Sequence, residues 1–427
     1  MKQHTLQNWS DNTSRYFSEI HKPTNYNELI SIVSKMKPRT PIIVNSSSYS
    51  WSPFLFTKGT FTEQNQNQRP ICITTIKYKG DITINEGNQT VTCLSGTYLG
   101  ELLHFLGMRK YTLNQFPNIP FITVGGAVAT CTHGASLKVG TISDLVTEIY
   151  YVLPGFKEEQ KVPYALLGAY AGSIGQLGII TKITLSIVPT FWLHLNKQNI
   201  SIFKLINDID NLYNTSDYIA GFWTPNTDVF DLRQYTKIHD SRDKPISLFQ
   251  CKIDNKLMVY QHEQSMDGIY DAPVIDYQIG TSRHTLNESG LIGWGQCEKQ
   301  YSVPTGNPEY IEVEYTFNIK YLHEAFNVIN EWVNNYDTKM ELGVFVRFSG
   351  NDTLPWLSNC RENKKNVCFL VDVNKNSNYD DNFKILEKNM WERVKARPHL
   401  GKWNNVDNNM FIEMYGNDGK KFLQLQN

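Results

Sequence analysis

Apolar residues recur at helical spacing from Leu29 through Ile32 and Val33 to Met36, between signals that start and stop a helix. Asn25 stands three residues before Glu28, a capping-box spacing that satisfies the first free amides, and Pro38 cannot continue the turn. A short amphipathic helix is predicted there. The next apolar run, Pro41-Ile42-Ile43-Val44, reads as a strand feeding the small polar stretch Asn45-Ser46-Ser47-Ser48-Tyr49-Ser50. Beyond a polar segment at 57–70, strands are predicted at 71–76, 82–85 and 90–94. A helix then presents Leu99, Leu102, Leu103 and Leu106 on one face, with Gly107 to end it.

The segment Thr123-Val124-Gly125-Gly126-Ala127-Val128-Ala129-Thr130-Cys131-Thr132-His133-Gly134-Ala135 is built of small residues that leave the backbone open to close approach. A strand at 145–153, a helical run at 164–170 and a strand at 178–188, ended by Pro189, complete a first region over 1–190. From 191 to about 370 the pattern is strand-rich, with a strand at 311–317 and a helix at 321–333, as expected of a second α+β domain. Residues 371–427 are too short for a domain and are expected to pack back on the others and complete the site. No internal repeat was found.

The length of 427 residues is compatible with two or three domains. A net charge of −1 supplies no bulk field for nucleic acid or an anionic bilayer, and neither is expected as a partner. No apolar run approaches the roughly 18 residues of a membrane span, and residues 1–20 lack the apolar core of a secretion signal, so a cytoplasmic location is expected. Seven cysteines, at 72, 93, 131, 251, 297, 360 and 368, form no CxxC pair, which fits reduced thiols better than disulfides or a zinc framework. No metal site is expected.

The chemistry concentrates in two loops. Successive amides and hydroxyls after a buried strand, at Ser46, Ser47, Ser48, Tyr49 and Ser50, can form a nest for pyrophosphate oxygens without net positive charge. The small residues from Gly125 to Gly134 offer a second surface for a flat ring or a diphosphate. Two such loops point to a dinucleotide.

The order NSSSYSWSP, TVGGAVATCTHGAS, GTISDLV and QLGIITKITLSIVP resembles the FAD-binding domain of the vanillyl-alcohol-oxidase superfamily, most closely its aldonolactone and alditol oxidase branch. Ala396-Arg397-Pro398-His399-Leu400-Gly401-Lys402 is similar to that branch's RPHWGK signature, and Val344-Phe345-Val346-Arg347-Phe348 to its VEVRF strand. The resemblance implies an α+β fold: a two-subdomain PCMH-type FAD-binding domain over 1–190 and a second α+β substrate domain over 191–370 with a mainly antiparallel sheet. It implies that residues 46–50 meet the FAD pyrophosphate and that Gly125, Gly126, Thr130, His133 and Gly134 run along the flavin and diphosphate. Ser143 and Ile179 would add backbone contacts, and Cys131, a glycine in many relatives, would lie beside the flavin or simply be a small buried residue. Arg347 and Lys402 would stabilise charge developing on the flavin or polarise the substrate oxygen, and His399 would join them in the site.

Two positions depart from the branch. Tyr49 stands where most members carry the histidine joined covalently to the flavin, so the FAD is expected to be bound without a covalent bond. Phe345 stands where the alditol oxidases place a glutamate, and a phenyl ring accepts no proton. Candidates for the displaced acceptor are Glu341, Glu314, His399 and Lys402. The expected activity is oxidation of a CH–OH carbon of a polyol, sugar or lactone, with hydride transfer to flavin N5 and reoxidation by O2 or another electron acceptor. Two alternatives stay open: an FAD-binding protein that has lost catalysis, and a dehydrogenase or epimerase-type flavoenzyme that uses an acceptor other than oxygen.

Overall fold

A computed structural model of the protein describes residues 4–8, 12, 14–52, 70–107, 109–117, 122–238, 247–253, 256–263, 269–271, 290–293, 310–336, 340, 343–361, 364–375 and 378–426. The first predicted helix forms over Tyr26–Val33, with the Asn25 side chain accepting from the amide of Glu28. Glu28 reaches back one residue further than the usual box and accepts from the amide and hydroxyl of Thr24. Met36 falls beyond the helix, in a turn closed by its amide onto the Val33 carbonyl. Leu29 and Val33 face a small core with Ile73, Tyr78, Val152 and Ile179. That core joins the helix to two sheets.

The first sheet is parallel and three-stranded, with Ile71–Thr74 between Glu19–His21 and Ile42–Asn45. The second is antiparallel and five-stranded, in the order Gln160–Lys161, Val146–Val152, Ile179–Ser186, Thr90–Leu94 and Thr83–Asn85. Each predicted strand of the first region is present within a few residues of its expected ends. The run at 164–170 divides into a 3-10 turn, Tyr164–Leu166, and a single α turn, Leu167–Tyr170. The small-residue segment, to which the sequence assigns no element, contains a helix over Val124–Ala129, capped by Thr123 accepting from the amide of Gly126. A side chain on Gly125 would meet the Ser95 Cβ at 2.7 Å, so this helix lies against the neighbouring loop only because the position is glycine.

The third sheet has nine strands and dominates the remainder. Its central members run Phe230–Ile238, Tyr218–Trp223, Val344–Ser349, Asn366–Asn374 and Tyr310–Asn318, all antiparallel. The one parallel pairing in this sheet, among the described residues, joins Ile269–Asp271 to Gly290–Gly293. The two-residue period of a strand gives the sheet two unlike faces. On Tyr310–Asn318 the residues Ile311, Val313, Tyr315 and Phe317 enter a core with the helices Leu322–Tyr336 and Tyr379–Val394. The alternate residues Glu312, Glu314 and Thr316 lie on the opposite face, and are buried there as well.

The C-terminal segment packs against both halves of the molecule. Phe383, Leu386 and Met390 pack under the nine-stranded sheet, whereas Phe411, Met414, Tyr415 and Phe422 of Asn408–Leu425 join the core of the first region. The connection between these helices carries His399 and Lys402 across the junction. Among the described residues no helix is long and apolar enough to cross a membrane.

Candidate functional site

The polar face of the large sheet and the loops of the first region line a cavity that opens to solvent. One end is lined by residues 45–50 together with Ser95, Gly125, Gly126, Ala129 and Thr130. The other is lined by His133, Glu312, Glu314, Arg347, Leu370, His399, Gly401 and Lys402. One end is built of hydroxyls, amides and small residues, and the other carries charge.

The serine loop is held by its own side chains. Asn45 and Ser48 bond each other at 2.9 and 3.1 Å, which secures Ser48 at a left-handed φ of 58°. Ser46 Oγ and Thr123 Oγ1 lie 2.8 Å apart and tie this loop to the cap of Val124–Ala129. Ser50 Oγ donates to the Gly401 carbonyl at 2.7 Å, anchoring the loop to the C-terminal connection. Ser95 Oγ, buried and lining the cavity, has no hydrogen-bond partner among the described residues. A buried hydroxyl in that position costs stability unless a bound group satisfies it.

At the charged end, strand register sets the arrangement. Arg347 lies opposite Cys368, and Phe345, Leu370 and Glu314 form the adjacent cross-strand row. Arg347 donates from Nη2 to Glu314 Oε1 at 2.9 Å and from Nη1 to the His133 carbonyl at 3.1 Å. Its Nε has no partner among the described residues. Burial alone would raise the Glu314 carboxyl, but Arg347 and His133 hold it well below the usual carboxylate range. Burial opposes a charge on His133, yet Cys368 and Glu314 push it up to about 10. Lys402 is ion-paired with Glu312 through Nζ and Oε2.

His399 differs from His133. Burial pulls it down to about 3 against the attraction of Glu314, with His133 and Lys402 adding repulsion, so the ring is neutral near pH 7. Its Nδ1 accepts from the Gly401 amide at 3.0 Å, which places the remaining proton on Nε2. His399 therefore offers a donor at Nε2.

Of the residues expected from sequence, Ser46, Ser47, Ser48, Tyr49, Ser50, Gly125, Gly126, Thr130, His133, Arg347, His399 and Lys402 line this one cavity. Four others do not. Cys131, at a φ of 54°, is buried with its sulfur against Gly172. Gly134 gives close passage beside the Phe116 carbonyl, 2.1 Å from where a Cβ would stand. Ser143 turns its hydroxyl to the Val128 carbonyl at 2.7 Å, and Ile179 belongs to the small core under the first helix. These four shape the walls from behind. Phe345 stacks on Phe222 at 4.7 Å between ring centroids, in an apolar patch with Ala135, Ala220 and Leu370. Glu341 lies outside the described residues. Glu312 was not anticipated, although Ile311-Glu312-Val313-Glu314-Tyr315 already shows two carboxylates at strand spacing opposite an apolar face.

The residues present fit FAD. The partnerless Ser95 hydroxyl and the loop at 45–50 suit a diphosphate, the small residues from Gly125 to Thr130 admit close approach, and the cationic end suits a ring that gains negative charge on reduction.

Comparison with known proteins agrees with this geometry. Residues 20–155 match the family model of an FAD binding domain, and residues 183–427 match that of D-arabinono-1,4-lactone oxidase. The D-arabinono-1,4-lactone oxidase of Eremothecium gossypii is 24% identical over 233 residues, 52% of this chain and 42% of that protein, so the match spans less than half of the relative. The Saccharomyces cerevisiae protein of the same name is 23% identical over 252 residues, 57% of this chain and 46% of its own. The L-gulono-1,4-lactone dehydrogenase of Mycobacterium tuberculosis H37Rv is 21% identical over 405 residues, 92% of this chain and 89% of its own. Among solved structures, cholesterol oxidase from Brevibacterium sterolicum superposes with a TM-score of 0.68 at 15% identity, over 94% of this chain and 86% of that one. At that identity the likeness is one of fold. The FAD-binding match, the fold and the family model spanning more than half of the chain converge: the protein belongs to the D-arabinono-1,4-lactone oxidase family of FAD-linked oxidoreductases.

Proposed function

We propose that the protein oxidises a carbinol carbon of an aldonolactone, or of a related sugar or polyol, using FAD held in the described cavity without a covalent bond. The observation that supports this most is the meeting of a hydroxyl-lined cradle and a buried cluster of Arg347, Glu314, His133, His399 and the Glu312–Lys402 pair in one cavity. Bound FAD would supply a hydride acceptor at its N5. The chain's own part would be to hold the carbinol and to take its hydroxyl proton as the carbon becomes a carbonyl.

The chain's own groups divide these tasks. Arg347 offers a guanidinium where negative charge develops, its Nε without a partner among the described residues. His399, neutral with a proton on Nε2, orients an oxygen by donating to it. Phe345 accepts no proton, Glu314 is clamped by two cations, and the His399 Nδ1 lone pair is taken by Gly401. Glu312 remains as the proton acceptor, with the Lys402 ammonium beside it to hold the substrate oxygen. Tyr49 lines the cavity with a phenol, which offers no imidazole nitrogen for a flavin bond.

On this reading the reduced cofactor is reoxidised by O2, and the protein works in the cytoplasm. The full-length resemblance to an L-gulono-1,4-lactone dehydrogenase favours a second reading in which another acceptor takes the electrons. Anaerobic mixing with a panel of aldonolactones, sugars and polyols is expected to bleach the flavin absorbance, and admitting air to restore it. Bleaching without recovery would select the dehydrogenase. Absence of bleaching across the panel would leave a binding protein and refute the activity.

A further inference from the structure

His133 makes two contacts that between them fix its protonation. Nδ1 lies 2.9 Å from the Gly134 carbonyl oxygen, which can only accept, so Nδ1 carries a proton. Nε2 lies 2.6 Å from Glu314 Oε1, an ion-pair distance without hydrogen-bond geometry. The same oxygen accepts from Arg347 at 2.9 Å. A ring nitrogen of His133, a carboxylate oxygen of Glu314 and the sulfur of Cys368 all lie within 4.8 Å of one another, and all three residues are buried. Two atoms bearing only lone pairs would repel strongly at 2.6 Å in a site this far from water.

We propose that His133 is a standing imidazolium, protonated on both ring nitrogens throughout the working pH range, and that with Arg347 it forms a two-cation wall which raises the reduction potential of the bound flavin. Two groups packed against the ring favour its charge. Glu314 faces it as an anion, and Cys368 stands beside it as a second acceptor. The Thr316 hydroxyl donates to the Cys368 sulfur at 3.1 Å while its own oxygen receives the Asn359 amide at 2.7 Å, which favours electron density on the sulfur. Arg347 opposes the charge, and His399, at 5.8 Å between ring centroids, is held neutral. His133, Arg347 and Glu314 line the cavity, whereas Cys368 does not, so the cations dominate what the cavity sees. A reduced flavin gains negative charge that an oxidised one lacks, so a fixed cation binds the two forms unequally.

The second half of the proposal rests on the FAD reading, but the first does not, and the two tests separate them. In wild-type protein labelled with 15N-histidine, with or without cofactor, one of the ten imidazoles is expected to show two protonated nitrogens at pH 8. A spectrum in which every ring has one bare nitrogen at that pH overturns the proposal whether or not FAD binds. In the FAD-loaded protein, His133→Asn is expected to disfavour reduced over oxidised flavin at least tenfold, which is a fall of about 30 mV in the two-electron midpoint potential. A purely structural role would weaken both redox forms alike, and an unmoved potential in the folded variant overturns the electrostatic assignment.

Discussion

Arg347→Ala tests the charged end of the cavity most sharply. The guanidinium makes two hydrogen bonds from separate nitrogens, 2.9 Å to Glu314 and 3.1 Å to the His133 carbonyl, and its third nitrogen has no partner among the described residues. Loss of one preorganised donor at a site of developing charge typically costs a factor of about 10²–10³ in rate, or roughly 3–4 kcal/mol. The anaerobic rate of flavin bleaching by a working substrate should fall by that amount, measured by stopped flow. Removal also leaves the buried Glu314 with His133 as its remaining cation, and breaking a buried pair costs about 3–5 kcal/mol of stability, so thermal unfolding is measured first. Arg347→Lys keeps the charge, but a single ammonium cannot serve both acceptors, and a loss of roughly tenfold is expected. A bleaching rate within threefold of wild type in folded, FAD-loaded Arg347→Ala would refute the role given to this residue.

Three further outcomes follow from the same structure. Glu312→Gln should slow substrate oxidation by about 10²–10⁴ while leaving FAD binding intact, and a rate equal to wild type would move the proton acceptor elsewhere. Acid precipitation should release the flavin into the supernatant, and colour retained in the pellet would show a covalent bond at a residue other than Tyr49. Asp352 accepts from the Thr141 amide and hydroxyl and from Ser358, while burial and Asp144 raise its carboxyl to about 6. Because the folded value lies above the unfolded one of about 3.9, its stabilising contribution is full below about pH 4 and is lost as the pH rises through 6. Asp352→Asn should flatten the pH dependence of unfolding midpoints between pH 4 and 7, and an unchanged slope would contradict that assignment.

Much of this site is legible in the sequence because its parts are local. A buried strand feeding a run of hydroxyls and a glycine pair beside it announce a cradle within a few residues each, and both line the cavity. Properties that depend on a partner distant in sequence were not legible. The charge on His133 comes from Glu314 and Cys368, on two strands of the other sheet, and the tautomer of His399 from the amide of Gly401. Glu312 was overlooked because its pairing with Lys402 depends on which face of Tyr310–Asn318 meets the C-terminal connection. Cys131, open from sequence between a place beside the flavin and a small buried position, is buried with its sulfur toward Gly172, and Ser143, expected to offer its backbone, turns its hydroxyl to a backbone carbonyl. Motif position carries the path of the backbone and not the direction of each side chain.

The most direct measurement is the visible absorption spectrum of the purified protein after incubation with FAD and removal of the excess. Flavin bands at one equivalent per chain, weakened when Ser95 and Ser47 are replaced by leucine in the folded protein, are the predicted result. A colourless protein that retains no FAD would contradict the account at its base.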